Sequence, residues 1–238
     1  MLIMVKKIIN KLLYLISILS NSGYIKYLRR KGVQIGDGCV FRNRNTIRVD
    51  VTRPSLVTIG NNVDFNMNFQ LLTHDYATSV FIRKYSDFVN SSGRVVIGDN
   101  VVFGTNVIVL KGVEIGDNCI IGAGSIVSKS IPANSVAVGQ PARVVCTIDE
   151  FYARRRQECV KEAFEYANSI VEQYGREPRY EEFYEEFALF VDRDNIHKYP
   201  KLPITSQLGD AYEEWLSRHK APFADFEAFI SEAKQHKN

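Results

Sequence analysis

Histidine and cysteine are scarce in this chain, with four of each in 238 residues. Cys39, Cys119, Cys146 and Cys159 include no C-x-x-C pair, and no cysteine and histidine fall at the spacing of a zinc site. Disulfide scaffolding and structural zinc are therefore set aside, and the four are read as reduced thiols of a cytoplasmic protein. Charge of one sign is also lacking. The net is only +3, which gives no footing for strong nucleic-acid binding. No glycine-rich loop of the Walker or Rossmann type occurs. No apolar run is long enough to span a bilayer. The longest candidate, Ile8 to Leu19, is broken by Asn10 and Lys11, and no small-residue cleavage site follows it.

What that N-terminal stretch does have is helical spacing, at Ile9, Leu12, Leu13, Ile16 and Leu19. It is read as a helical segment over 1–32 with two open roles. One is an amphipathic helix covering the end of the next domain. The other is a membrane-surface helix, helped by Lys6, Lys7, Lys26, Arg29, Arg30 and Lys31. Charge is uneven further along. Residues 148–238 hold 13 Lys/Arg against 19 Asp/Glu, about −6, which leaves about +9 for residues 1–147. A basic body of this kind suits an anionic ligand.

The most informative pattern is a period of six. Every sixth residue from Ile35 reads Ile35, Phe41, Ile47, Arg53, Ile59, Phe65, Leu71. From Ile97 it reads Ile97, Phe103, Val109, Ile115, Ile121, Val127. Four residues after each anchor of the second series stands a second inward candidate, Val101, Val107, Val113, Cys119 and Ser125. "IGDN" recurs at 97–100 and 115–118. A helix cannot use this period, and a plain strand would alternate every two residues. Short strands with Gly, Asn and Asp at the corners fit a coil of three flat faces, in which eighteen residues make one turn. Arg53, next to Pro54, breaks the pattern and is placed at a bulge or an outward corner. The pattern stops at Leu71 and resumes at Val95, so 73–94 reads as a loop.

The stretch "VVIGDNVVFGTNVIVLKGVEIGDNCIIGAGSIVSKSIPANSVAVGQPARVV" (95–145) resembles the signature of hexapeptide-repeat acyltransferases, such as the galactoside, maltose and serine acetyltransferases. The resemblance implies a mainly β fold: a left-handed parallel β-helix over 33–147, with the N-terminal helix before it and an α-helical appendage after it. It implies a homotrimer whose sites lie between neighbouring coils, with acetyl-CoA as cosubstrate and no metal. His74, at the start of the loop in "LLTHDY", matches the family's catalytic base. Gly104 and Thr105 in "FGTN" match the corner whose backbone faces the thioester. Ala123 in "GAGS" matches a contact to the pantetheine arm. Ser128, Lys129 and Arg143 match groups near the phosphates of coenzyme A, where Lys and Arg suit the charge.

The chemistry is sound without the family. An alcohol is a weak nucleophile at pH 7, and a neutral imidazole can take its proton as it attacks a thioester. The resulting oxyanion needs donors already in place. Asn66, Asn68 and Asp75 are candidates for the acceptor, with corner-turning as the alternative for the two asparagines. What orients His74 is open between a backbone carbonyl and a carboxylate from elsewhere, because Asp75 should point to the opposite face.

From Ile148 the period of six ends. Phe151, Val160, Phe164, Ala167, Val171 and Tyr174 fall at helical spacing, with Gly175 as a stop. Pro178 and Pro222 each open a segment with paired Phe, and Ser206 is a candidate cap for a helix running to Trp215. The segment 148–238 is expected to form three or four helices, with His197, His219 and His236 on its surface. The whole reads as an O-acetyltransferase of a sugar hydroxyl in bacterial surface polysaccharide modification. Its N-terminal helix is compatible with weak contact to the inner membrane face. N-acetylation of an amino sugar or antibiotic, and a non-catalytic β-helix scaffold, stand as rivals.

Overall fold

Two-residue and three-residue strands, each ending on a large apolar side chain, wind around a core that is filled from three sides. The computed structural model describes residues 11–236. Successive turns of the coil stack as parallel strands, and three sheets result. The first holds β1 (Gln34–Ile35), β4 (Val57–Ile59), β7 (Val95–Ile97) and β10 (Glu114–Ile115). The second holds β2 (Val40–Phe41), β5 (Asp64–Phe65), β8 (Val101–Phe103), β11 (Cys119–Ile121), β13 (Ser135–Gly139) and β14 (Ala142–Thr147). The third holds β3 (Arg48–Val49), β6 (Gln70–Leu71), β9 (Ile108–Val109) and β12 (Ile126–Val127).

Register explains the period. Ile97 pairs with Ile115, Phe103 with Ile121 and Val109 with Val127, each one coil away. Like side chains therefore stack in columns. On the second sheet the rings of Phe41 and Phe65 lie 4.5 Å apart and nearly parallel, and those of Phe65 and Phe103 lie 5.3 Å apart. Asparagines at one corner form a ladder. Asn100 Nδ2 donates to Asn118 Oδ1 at 2.8 Å, and Asn118 Nδ2 donates to Asn134 Oδ1 at 3.0 Å. All three have positive φ, which Asn tolerates better than most residues.

The first coil departs from the simple count. Val49, not Ile47 or Arg53, is the third-sheet anchor that pairs with Leu71. Two short 3₁₀ turns cause this, Arg44–Thr46 and Pro54–Leu56, each inserted at a corner. Arg53 stands just before the second turn, at a corner, as Pro54 suggested. The last strand departs too. β14 runs antiparallel to β13 and closes the second sheet with a hairpin instead of another coil.

The open lower end of the coil is covered by α1 (Asn21–Lys31), whose Tyr24 and Leu28 are buried. Asn21 replaces a missing coil there. Its Nδ2 donates to Cys39 O, and its Oδ1 accepts from Phe41 N, both at 2.8 Å. Residues 11–17 are also helical and precede α1. Lys6, Lys7 and Ile9, counted above toward a helix, lie outside the described residues. Cys39 and Cys119 are buried free thiols, and burial raises both above the usual thiol range.

The chain divides into two compact units, 1–152 and 153–238. The second is built from most of α3 (Ile148–Tyr174), then α4 (Ile204–Leu208), α5 (Tyr212–Arg218) and α6 (Phe226–Gln235), with 3₁₀ turns between. Phe183, Phe190 and Phe229 fill its core. Gly175 ends α3 with positive φ, as its position suggested. The segment after Pro178 forms 3₁₀ turns and not a helix. Glu181, Glu182, Glu185 and Glu186 would repel one another at i,i+4 on a helix, and Arg176 and Lys201 engage Glu182 and Glu181 instead. Gly209 splits the expected 206–215 helix in two, and Asp225, not Pro222, caps α6. His219 is not a free surface residue. It stacks on Trp215 at 4.3 Å, and its Nε2 donates to Ala188 O.

A mainly β fold therefore describes residues 33–147 only. Over the described chain α-helix occupies more residues than strand, because coil strands are very short and the second unit is built of helices and turns. Phe65→Ala would open a hole in the middle of the aromatic column. It is expected to lower the stability of the coil by about 3–5 kcal/mol, read from denaturant unfolding of the first unit.

Candidate active site

β3 and β6 are neighbours in the third sheet, so the residues that follow them share one corner of the coil. Asp50 follows β3 and His74 follows β6. The corner between the third and first sheets thus joins two residues 24 positions apart: His74 Nδ1 lies 2.8 Å from Asp50 Oδ2. Both side chains are shielded, with 6% of Asp50 and 17% of His74 exposed.

Asp50 is held from several directions. Thr52 N and Thr52 Oγ1 donate to Oδ1 at 2.9 and 2.7 Å. Thr73 N donates to Oδ2 at 3.2 Å, and Thr73 Oγ1 donates to the same oxygen at short range. Burial pushes the Asp50 carboxyl up, but the hydrogen bonds from Thr52 and Thr73 together outweigh it and hold the group well below the usual carboxylate range. An ionised carboxylate can only accept. His74 Nδ1 is therefore the N–H that donates to it, and in the neutral imidazole the lone pair is left on Nε2. This is the tautomer a general base needs.

The loop that follows is pinned at its base. His74 bridges to Ser92 in antiparallel fashion, and Gly93 N donates to Thr73 O at 2.9 Å. Lys111 Nζ donates to both Asp75 Oδ2 and Ser91 Oγ. Lys111 holds the Asp75 carboxyl down at about 2, helped by the backbone N–H of Ala77. Asp75 is thus engaged in tethering the loop, with its side chain still 41% exposed. Within the loop lies α2 (Thr78–Tyr85), an eight-residue helix with none of its side chains buried. Tyr76 sets its ring edge-on to His74, with centroids 5.3 Å apart.

Thr105 and Ala123 stand at a different corner, between the second and third sheets. They are stacked one coil apart, and Gly124 N donates to Thr105 O at 2.8 Å. Gly104 N and Asn106 N donate to Ile121 O and Met67 O, so both serve the coil. The N–H of Thr105 between them, and that of Ala123, have no partner among the described residues. Gly104 is required by packing: a Cβ there would lie 2.5 Å from Ala123 N. Ser128 and Lys129 are exposed just beyond β12, at the corner that carries His74 but two coils on. Arg143 is exposed on β14. Asn68 has positive φ and joins Asn106 in a corner ladder at 2.8 Å. Asn66 Nδ2 donates to Phe103 O at 3.0 Å. Both asparagines therefore act in coil turns. Among the described residues no three His, Cys, Asp or Glu side chains gather as metal ligands would.

Asp50 is the site residue that sequence reasoning did not single out. The signal was present. It is the only acid in the first coil's third side, directly after the apolar Val49, but the two inserted turns hid its alignment with His74.

Asp50→Asn is expected to cost about 1.5–3 kcal/mol at pH 7, the scale of hydrogen bonds to a charged group. The native carboxyl is depressed, so its contribution is complete above pH 4 and fades as pH falls below that value. Unfolding curves of the two proteins should converge in acid.

The family model described as bacterial transferase hexapeptide (six repeats) matches residues 94–129. Protein CapG of Staphylococcus aureus is 40% identical over 126 residues, covering 52% of this chain and 71% of CapG. The galactoside O-acetyltransferase of Lactococcus lactis is 41% identical over 120 residues, covering 50% of this chain and 55% of that enzyme. Among solved structures, a maltose O-acetyltransferase from Clostridium difficile is 30% identical with a TM-score of 0.42, covering 58% of this chain and 83% of that one. The repeat, its register, the family-model match and the similarity to CapG together make the chain a member of the hexapeptide-repeat acetyltransferase family.

Proposed function

We propose that the chain transfers an acetyl group from acetyl-CoA to a sugar hydroxyl, with His74 as general base. The reading rests above all on the Asp50–His74 pair, which presents a basic Nε2 at a shielded corner beside a pinned loop. Nε2 takes the proton of the acceptor hydroxyl as its oxygen attacks the thioester carbonyl. Asp50 stabilises the imidazolium that forms. The backbone N–H of Thr105 meets the oxyanion, and Ala123 N holds the pantetheine arm. When the C–S bond breaks, His74 returns the proton to the departing thiolate. Ser128, Lys129 and Arg143 serve the phosphates of coenzyme A. The coil is taken as left-handed, as the family resemblance implies.

His74 and Thr105 occupy different corners of one chain, separated by the width of the third sheet, roughly 15–20 Å. One thioester cannot bridge both within a protomer. The reading therefore pairs His74 of one copy with Thr105 of another, in a homotrimer. The sugar acceptor is supported by the similarity to the galactoside and maltose enzymes, whose names state their acceptors. Surface polysaccharide modification in the cytoplasm is the setting proposed for it.

Purified protein assayed with a panel of sugars, by release of free thiol and by product mass, tests this. His74→Ala is expected to lower kcat roughly 10²–10⁴-fold while acetyl-CoA binding stays within a few-fold. Turnover at wild-type rate in that variant would reject the base. Arg143→Ala is expected to raise KM for acetyl-CoA by about tenfold with kcat nearly unchanged.

A further inference from the structure

The stretch 11–19 packs the wrong way round for a simple cap. Its inward side is small and mixed: Tyr14, Ser17 and Ile18. Tyr14 sets its ring edge-on to Tyr27 at 5.5 Å, and Arg48 Nη1 donates to Tyr14 OH at 3.3 Å. Ser17 is buried, and Arg44 Nε donates to Ile18 O at 2.8 Å. Its outward side is aliphatic. Leu12 and Ile16 are each 56% exposed and Leu19 is 76% exposed, with Leu13 and Leu15 also open. A helix packed only against its own domain turns its apolar face inward. Here five large aliphatic side chains face out together, a cluster of the kind that marks an interaction surface.

Charge around this surface is of one sign. Residues 1–36 contain Lys6, Lys7, Lys11, Lys26, Arg29, Arg30 and Lys31 and no acidic residue, the first being Asp37. Arg29 is paired with Asp37, while Lys11, Lys26 and Arg30 are exposed. A second copy docking through the same patch would set like charge against like. An anionic bilayer offers what this surface lacks: acyl chains for the leucines and negative headgroups for the lysines and arginines. No helix among the described residues is long and apolar enough to cross a membrane. We infer that residues 11–19, with the basic residues that flank them, form a docking face for an anionic lipid surface.

The test is flotation of the full chain with phosphatidylcholine vesicles, with and without phosphatidylglycerol. Binding is expected to be at least about tenfold stronger with the anionic lipid and to fall with added salt. Leu12→Glu combined with Ile16→Glu is expected to abolish it, with acetyl transfer retained. Lys26→Glu combined with Arg30→Glu, which disturbs no packing, is expected to weaken it several-fold and guards against misfolding of the first variant. Equal binding to both vesicle types, or no binding, overturns the inference. So does a change of oligomeric state in the Leu12/Ile16 variant without vesicle binding by the native chain, which would make the face a contact between copies.

Discussion

Each turn of the coil must lie within hydrogen-bond reach of the next, and this stacking constraint shapes everything else in the first unit. A residue's neighbours are set by the coil below and the coil above it. Hence Phe41, Phe65 and Phe103 form one column, and the asparagines of successive corners donate to one another. Hence also Gly104, where Ala123 of the next coil leaves no space for a side chain. Small-residue corners, positive-φ asparagines and β-branched anchors are three consequences of a single geometric demand. The ends are where the demand is not met by repetition. At one end Asn21 supplies side-chain hydrogen bonds in place of a coil, and at the other a hairpin folds back.

Stacking also builds the Asp50–His74 pair. Asp50 and His74 are distant in sequence, but both lie just beyond vertically adjacent strands of the third sheet. Short hydrogen-bond donors from Thr52 and Thr73 then fix the carboxylate. The pair is thus held by the stack and by the base of the loop, which Lys111 fastens from the coil above. Such preorganisation is what a general base needs, since misplacement by an ångström costs rate.

This explains what the sequence revealed and what it concealed. From Ile97 onward the period is unbroken, and there the anchors, the second inward positions and the corners all fall where the count puts them. Before Ile59 two inserted turns shift the frame, so Ile47 and Arg53 looked like anchors while Val49 did that work. His74 was legible because it marks the place where repetition stops. Its partner was not, because Asp50 lies inside the shifted frame. In the second unit the long helix and its glycine stop were readable. The segment at 180–189 was not, because paired glutamates outweigh its helical spacing of aromatics.

The placement of groups around the corners carries one more step. A coil of this kind is too thin to enclose a substrate: its interior is filled by columns of side chains, and its outer corners offer backbone donors such as Thr105 N and Ala123 N. In a lone chain Ala123 at one corner is exposed and Thr105 beside it half-buried, while His74 at the other corner is shielded but still 17% open. Under the proposed mechanism, bringing two chains together does more than add the missing group. It removes water from both corners at once, and electrostatic stabilisation of an oxyanion gains most where water is excluded. Association and catalysis then share one cause.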